Sequence, residues 1–404
     1  VFLLVLIGVF VVGIVLIIGF IKKKVGASFQ QPPAPPPPDL TAEITAAIRR
    51  DDPDFTPEAF LGRATEIFYR LQAAWSDGDM SPMRNYLSQG VYNRYRIQLE
   101  IMRDVEGVKN VMSDISVTAT GMAGHSDFGA YQTIHVTISA SARDATVSAG
   151  VSPEEVARAL SSAHPAPFTE IYSFTRKRGA RTDAAKDWLK GQCPNCGFVP
   201  DNFSQVNKCP SCGSIYNSGE YDWVLSEITQ SSEWHIRSAA DVDGLAALEA
   251  TNLSMNRQVV EDRASYLFWR WIQARVRGEA APLARDASAA FRNGFSAASR
   301  EYLGEVAVGA VDLKVIGVDA DTARAQALVL WSAASARGAS PQHHEHMLIL
   351  SMPAALENRF GLADHGCNKC GAPLPETDAL SCAYCGAPLP MANDDWLLEH
   401  VGGG

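Results

Sequence analysis

All eight cysteines of the chain fall in C-x-x-C pairs, with none left over. Cys193-Pro194-Asn195-Cys196 is followed a dozen residues later by Cys209-Pro210-Ser211-Cys212, and Cys367-Asn368-Lys369-Cys370 is followed by Cys382-Ala383-Tyr384-Cys385. Two pairs at this spacing read as a zinc ribbon, in which each knuckle is a tight turn bringing two thiolates to one tetrahedral ion at about 2.3 Å. A glycine follows each second cysteine (Gly197, Gly213, Gly371, Gly386), and its freedom to take a positive φ lets backbone N–H groups face the sulfurs. The pattern therefore predicts two structural zinc ions, one held by Cys193, Cys196, Cys209 and Cys212, the other by Cys367, Cys370, Cys382 and Cys385. Four thiolates leave no open position for water or substrate, which argues against a catalytic metal. A thioredoxin-type redox site would need one pair near a strand–helix junction, whereas four pairs in two sets are present. Disulfides compete only in a secreted chain.

The N-terminus argues against secretion. Residues Val1 to Phe20 carry no charge, and as a helix they would span about 30 Å, the thickness of a bilayer core. Lys22, Lys23 and Lys24 follow at once, and the positive-inside rule puts the C-terminal side in the cytoplasm. A cleaved signal peptide fits less well, because the apolar run is too long and the basic cluster lies on its wrong side. We read residues 1–21 as a single-pass transmembrane helix and 22–53 as a basic, proline-rich linker. Within it, Gln30 to Pro38 forms a polyproline II spacer; one short tract without flanking basic residues is a poor ligand for aromatic-groove modules. The roughly 360 residues that follow exceed one compact core and suit two domains. The chain's net charge of -10 gives no footprint for nucleic acid or anionic lipid, so attachment to the membrane falls to the apolar segment.

Thr56 as N-cap, Pro57 at the first helical position and Gly78 as a stop bracket a helix whose apolar stripe is Phe60, Ala64, Ile67, Phe68, Leu71, Ala74 and Trp75. Ser81-Pro82 opens a second short helix, and Val91, Tyr95, Leu99 and Met102 mark a third. The period then changes to two, through Ile115-Val117, Ile134-Val136-Ile138, Tyr172-Phe174 and Trp223-Leu225. Helices followed by strands imply an α+β domain with helices on one face of a mostly antiparallel sheet. Adding 200 aligns Ala64, Phe68, Gly78, Pro82 and Asn93 with Ala264, Phe268, Gly278, Pro282 and Asn293. Strands recur at Leu313-Val315, Leu328-Leu330 and Met347-Leu350, and Trp396-Leu397-Leu398 repeats Trp223-Val224-Leu225. Two tandem domains follow, 54–236 with a ribbon at 191–214 and 237–404 with a ribbon at 365–388, each ribbon standing between the last two strands.

Other candidates carry less. His343, His344 and His346 read as a solvated strand end, since no matching carboxylates accompany them, and His135 between Ile134 and Val136 reads as structural. Phe68, Trp75, Trp269 and Trp271 at helical spacing read as core. No nucleophile motif, phosphate loop or paired carboxylate is recognisable, so no catalytic residue is assigned.

The residues Asp54-Phe55, Phe60-Leu61, Gln72-Ala73-Ala74-Trp75, Gly78-Asp79, Tyr86-Leu87 and Asp114-Ile115, with the strand Glu170-x-Tyr172-x-Phe174-x-Arg176, together resemble the Tim44-like domain family. That family includes the scaffold of the mitochondrial inner-membrane import motor and bacterial membrane-anchored proteins. The resemblance implies cone-shaped domains similar to nuclear transport factor two, each a curved sheet and helices around an apolar pocket. It covers residues 54 to about 230 and reaches the second copy only through Phe268, Trp269, Gly278, Pro282 and the Trp396 strand. The ribbons depart from the mitochondrial scaffold, and the chain shows no long chaperone-binding region, so an import-motor role does not carry over. The expectation is a non-enzymatic, membrane-anchored accessory subunit that docks a protein partner or larger membrane complex. The alternative is a carrier of a hydrophobic small molecule, a lipid or quinone, in the domain cups. Nucleic acid is not an expected partner.

Overall fold

Pro57 fixes its own φ for a first helical turn, and Gly78 accepts the left-handed conformation that ends a helix; the chain between them is helical over Pro57–Asp77. Gly78 sits at φ 74° and its N–H bonds the Ala74 and Trp75 carbonyls. Thr56 has the extended backbone of an N-cap, but its hydroxyl makes no capping bond. The computed structural model describes residues 37–236, 242–251, 256–295, 300–356, 361–363, 365–377, 379–392 and 395–403. The predicted transmembrane helix over 1–21 and most of the proline tract lie outside the described residues, and among the described residues no helix is long and apolar enough to cross a membrane.

The first half runs α1 (Thr41–Ile48), α2 (Pro57–Asp77), a 3-10 turn (Ser81–Met83), α3 (Gln89–Ile101), β1 (Val108–Phe128), β2 (Tyr131–Ser148), α4 (Pro153–Ser162), β3 (Ala166–Lys177) and β4 (Val224–Gln230). The second runs α5 (Leu245–Thr251), α6 (Arg257–Arg277), a 3-10 turn (Ala281–Leu283), α7 (Ala289–Gly294), β5 (Gly304–Asp319), β6 (Thr322–Ala334), β7 (Gln342–Pro353) and β8 (Leu397–Gly402). Each half contains one four-stranded antiparallel sheet in sequence order, β1-β2-β3-β4 and β5-β6-β7-β8. On the first, Phe60, Phe68, Ile134, Val136, Tyr172, Phe174 and Trp223 share one core. The segment between each 3-10 turn and the following helix closes each sheet by the same pair of bonds. Ser88 N–H donates to the Leu225 carbonyl (2.9 Å) and Leu225 N–H to Tyr86; Ser288 N–H donates to Leu398 (3.0 Å) and Leu398 N–H to Asp286. The numerical shift of 200 is thus matched by backbone geometry.

The stretch 41–53, placed above in the linker, is part of the folded first half. Leu40 N–H bonds the Met122 carbonyl at 2.7 Å, and Ile44 and Ile48 enter the core. The two turns of α1 offer only this i,i+4 pair as an apolar stripe, too short a pattern to stand out beside the proline tract. α4 was also not anticipated; Ser152 and Glu155 form its capping box, and none of its residues is buried.

The halves differ in how their long helices are used. α2 buries one face, whereas α6 is buried nearly all round, because α3 of the first half packs on the side opposite its own sheet. Ile97 and Ile101 of α3 belong to the core of the second half. Gly90 permits the approach, since a Cβ there would lie 2.5 Å from Asp262 Oδ1. The Asp262 carboxylate accepts from Ser88 Oγ at 2.5 Å and from Gly90 N–H at 3.0 Å, satisfying the first turn of α3 from across the boundary. Burial outweighs these bonds and the nearby Arg263 and pushes the Asp262 carboxyl up to about 6. Its folded form therefore holds a proton between about pH 4 and 6 that the unfolded chain has released, and its contribution to stability falls as pH rises through that window. Asp262→Asn should remove that component: its melting temperature, measured against wild type, should gain at pH 7 relative to pH 4.

Candidate metal centres

The four knuckles share one backbone pattern. The N–H of each first cysteine bonds the carbonyl five residues on: Cys193 to Phe198, Cys209 to Ser214, Cys367 to Ala372 and Cys382 to Ala387, all at 2.7–2.8 Å. The glycine four residues on returns its N–H to that cysteine's carbonyl, at 2.7–2.9 Å. Those glycines have φ of 76°, 77°, 73° and 67°. This closes each turn so that amide groups face sulfur: those of Asn195 and Cys196 on Cys193, of Ser211 and Cys212 on Cys209, and of Tyr384 and Cys385 on Cys382.

The sulfurs gather as the spacing predicts, with Cys193, Cys196, Cys209 and Cys212 in one group and Cys367, Cys370, Cys382 and Cys385 in the other. Sγ–Sγ separations are 3.7 Å for Cys193–Cys212, 3.8 Å for Cys196–Cys209, and 3.7 Å for both Cys367–Cys385 and Cys370–Cys382. These are far beyond a disulfide bond. They match the edge, about 3.8 Å, of a tetrahedron whose centre lies about 2.3 Å from each sulfur, the zinc–thiolate distance. The donor set and its spacing fit a four-coordinate metal ion in each group. Both groups stand between the last two strands of their half, where the sequence placed them.

Equivalent residues orient each ribbon. Asn85 Nδ2 donates to the Phe203 and Val206 carbonyls between the knuckles of the first. Arg285, at the matching position, donates to the Thr377 and Ala379 carbonyls between the knuckles of the second. The ribbons also meet. Asn207 N–H donates to the Gly371 carbonyl at 3.0 Å, Lys208 Nζ donates to the Asn368 carbonyl at 2.7 Å, and Val206 packs with Cys367, Ala372, Cys382 and Leu389. A Cβ at Gly371 would fall 2.5 Å from Lys208 Cβ, so this contact requires glycine for space as well as for φ.

A second duplicated device holds the strand after each ribbon. Asp222 and Asp395, each just before the repeated tryptophan, accept the Trp223 and Trp396 N–H at 2.8 Å. Each also pairs with an arginine of the long helix, Arg63 with Asp222 and Arg263 with Asp395, both at 2.5 Å. The second pair is buried, and His365 joins it at 2.8 Å from Asp395. Burial opposes the Asp395 charge, but Arg263 and His365 overcome it and hold the carboxyl below its ordinary value.

The histidines occupy more defined places than expected. His343 is exposed at the start of β7, as a solvated strand end, whereas His344 stacks on Trp331 with ring centroids 4.6 Å apart and His346 accepts from Trp331 Nε1 at 3.0 Å, which makes those two part of an aromatic cluster. His135 is buried between Ser126 and Ser173 at 3.0 and 2.9 Å and stacks on Trp234. Sequence reasoning missed the buried ion pair Arg176–Asp52, 2.9 Å, with the guanidinium 4.3 Å above Trp223. The alternation that puts Arg176 on the same face as Tyr172 and Phe174 was its available signal. The interior of the first half is filled by rings: Phe60 lies 5.6 Å from Phe174 and 5.4 Å from Trp223, and Phe68 lies 5.9 Å from Tyr172.

Residues 41–189 match the family model of the Tim44-like domain, so the first half carries such a domain up to the edge of its ribbon. A solved structure described as an Ntf2 like protein involved in plasmid conjugation is similar at 7% identity and a TM-score of 0.21, covering 82% of this chain and 96% of that one. No curated protein matches the chain.

Proposed function

We propose that the protein is a membrane-tethered, non-enzymatic scaffold that docks a partner protein through tandem Tim44-like domains, with zinc in both ribbons as a structural element. The observation that carries this reading is the distribution of exposed apolar side chains. Of the ten large hydrophobic residues exposed among the described residues, Phe198, Val199, Leu380, Tyr384 and Met391 lie on or beside the two ribbons. The ribbons are also locked to each other and to their sheets, so they present these side chains on a fixed support, which is what a protein-docking surface needs. The duplicated strand closure and arginine–aspartate anchor support reading the second half as a diverged second copy. The tether is the apolar segment 1–21, and the lysines after it place the domains on the cytoplasmic side. The ring-filled interior of the first half favours docking over carriage of a lipid or quinone.

The test is affinity capture of the full chain from detergent-solubilised membranes. A partner should be recovered in stoichiometric amount, and the pair Leu380→Ser and Tyr384→Ser should lower its yield at least tenfold while metal content stays unchanged. Recovery of no stoichiometric partner, or equal recovery by the variant, counts against the proposal.

A further inference from the structure

The two sheets treat the face turned away from their cores in opposite ways. On the first, that face carries Thr133, His135, Ser173 and Thr175, all polar and all buried, and Trp234, just after β4, stacks on His135 with ring centroids 5.4 Å apart. On the second, the pairs Gln326–Ile349, Leu328–Met347 and Leu330–Glu345 put Leu328, Leu330, Met347 and Ile349 together on the outward face, and Val315, paired with Gln326, joins them. The intervening Ala325, Ala327 and Val329 are buried in the core. Leu330 and Val315 are 39% and 38% exposed, and Leu328, Met347 and Ile349 are only half-buried. An apolar outward face left open to water, where its polar counterpart is covered, marks a surface that meets another protein. Charges of opposite sign stand at its two ends. Arg324, in the row of Ser351, and Glu345, in the row of Leu330, lie about 20 Å apart along the strands. Both are exposed, and neither side chain is paired among the described residues. Two neighbouring carboxylates are engaged within the chain, Asp312 by Lys314 at 3.6 Å and Glu399 by Ser351 at 2.5 Å.

We propose that a second copy of this chain covers the face, the two β5-β6-β7-β8 sheets packing outward face to outward face about a two-fold axis. Packed sheets stand about 10 Å apart, and the axis must lie between them, either along the strands or across them. Along the strands it sets Arg324 on the partner's Arg324 and Glu345 on the partner's Glu345. Across the strands it inverts the order of the rows, so that each Arg324 meets the partner's Glu345 while Leu328 and Ile349 stay central. The charges select the second arrangement, which is isologous and closes at two copies. Four strands by about 20 Å give a footprint of about 300 Å² per copy, below the roughly 800 Å² of a standard interface, so the dimer is a weak one. This inference stands apart from the docking reading, which rests on the ribbons, and survives its failure.

The experiment is sedimentation equilibrium of the metal-loaded full chain in density-matched detergent, over a series of protein concentrations. A monomer–dimer equilibrium is expected. Arg324→Glu should weaken the dimer about fivefold or more, since the two-fold axis applies the substitution twice, and combining it with Glu345→Arg should restore wild-type affinity. Leu328→Ser should weaken it about tenfold or more, whereas the ribbon pair Leu380→Ser and Tyr384→Ser should leave it unchanged. If Leu328→Ser lowers the melting temperature or the metal content, the charge exchange decides, because both of its positions are exposed. A chain that stays monomeric throughout overturns the proposal, and if it captures a different protein that Leu328→Ser releases, the face belongs to that protein. A dimer indifferent to Arg324→Glu and Leu328→Ser is held by another surface, and a weakened dimer that the charge exchange does not restore lacks this two-fold pairing; either result also overturns it.

Discussion

Cys367→Ala is expected to halve the tightly bound metal, from two ions per chain to one, and to melt the second ribbon together with its contact to the first. Three thiolates no longer complete a tetrahedron, and a structural zinc site of this kind is worth on the order of 10–16 kcal/mol of folding free energy in small zinc-binding peptides. Few apolar contacts could compensate here. The cluster around the second ribbon is small: Val206, Cys367, Ala372, Cys382 and Leu389, two of which are ligands themselves. Released from its knuckle, Gly371 would lose the bond from Asn207, and Glu376 would lose the backbone that holds it among Arg96, Arg270 and Arg277. Burial opposes the Glu376 charge, but Arg270, Arg96 and Arg277 together hold its carboxyl at about 2. A folded pKa depressed this far contributes stability that is present above about pH 4.5 and fades as pH falls toward 2, so losing the ribbon also removes that contribution at neutral pH. The first ribbon has its own four sulfurs and its clamp from Asn85 and should keep its ion. Elemental analysis and thermal unfolding check both statements. A variant that still holds two ions would remove Cys367 from the ligand set, and wild type in which the cysteines prove to be disulfide-bonded would remove the metal from the account.

Some of this was open to a reader of residues, and the reasons are physical. Cysteine pairs with trailing glycines encode a local geometry, because a knuckle is made within six residues; both sulfur groups therefore formed as the spacing implied. Pro57, Gly78 and the alternating strands are local signals of the same kind. What escaped was set by distant contacts. The two-turn α1 earns its helix by packing Ile44 and Ile48 on β1, and Asp52 becomes buried only because Arg176, 124 positions away, needs a partner. Nothing in the repeat predicted that α6 would be enclosed while α2 kept a free face, since that asymmetry comes from α3 crossing to the second core. The pocket lined by Arg84, Arg96, Arg270 and Arg285 was illegible for the same reason, its walls being drawn from positions 84 to 96, 266 to 286 and 365 to 376.

The duplicated anchor permits a comparison in which most local terms cancel. Asp222→Ala and Asp395→Ala each delete a carboxylate that caps a tryptophan N–H at 2.8 Å and pairs with an arginine at 2.5 Å. Their surroundings differ. The Arg63 and Asp222 side chains keep 22% and 17% of their exposure, so water can reach the arginine left behind, and the lost pair should cost about 1 kcal/mol. Arg263 and Asp395 keep 2% and 4%, and Arg263 would be left hydrogen-bonded, among the described residues, to the Gly361 and Ala363 carbonyls, while His365 loses its bond to Asp395. Breaking one side of a pair buried to this extent costs about 3–5 kcal/mol. Since the tryptophan cap is lost in both variants, the difference, about 2–4 kcal/mol, reports the desolvation of the stranded arginine together with the lost His365 bond. Denaturant unfolding of both variants with metal bound measures it, and Arg263→Met combined with Asp395→Leu should recover much of the loss by removing both charges. Equal costs for the two aspartates would mean that burial does not set the worth of this anchor.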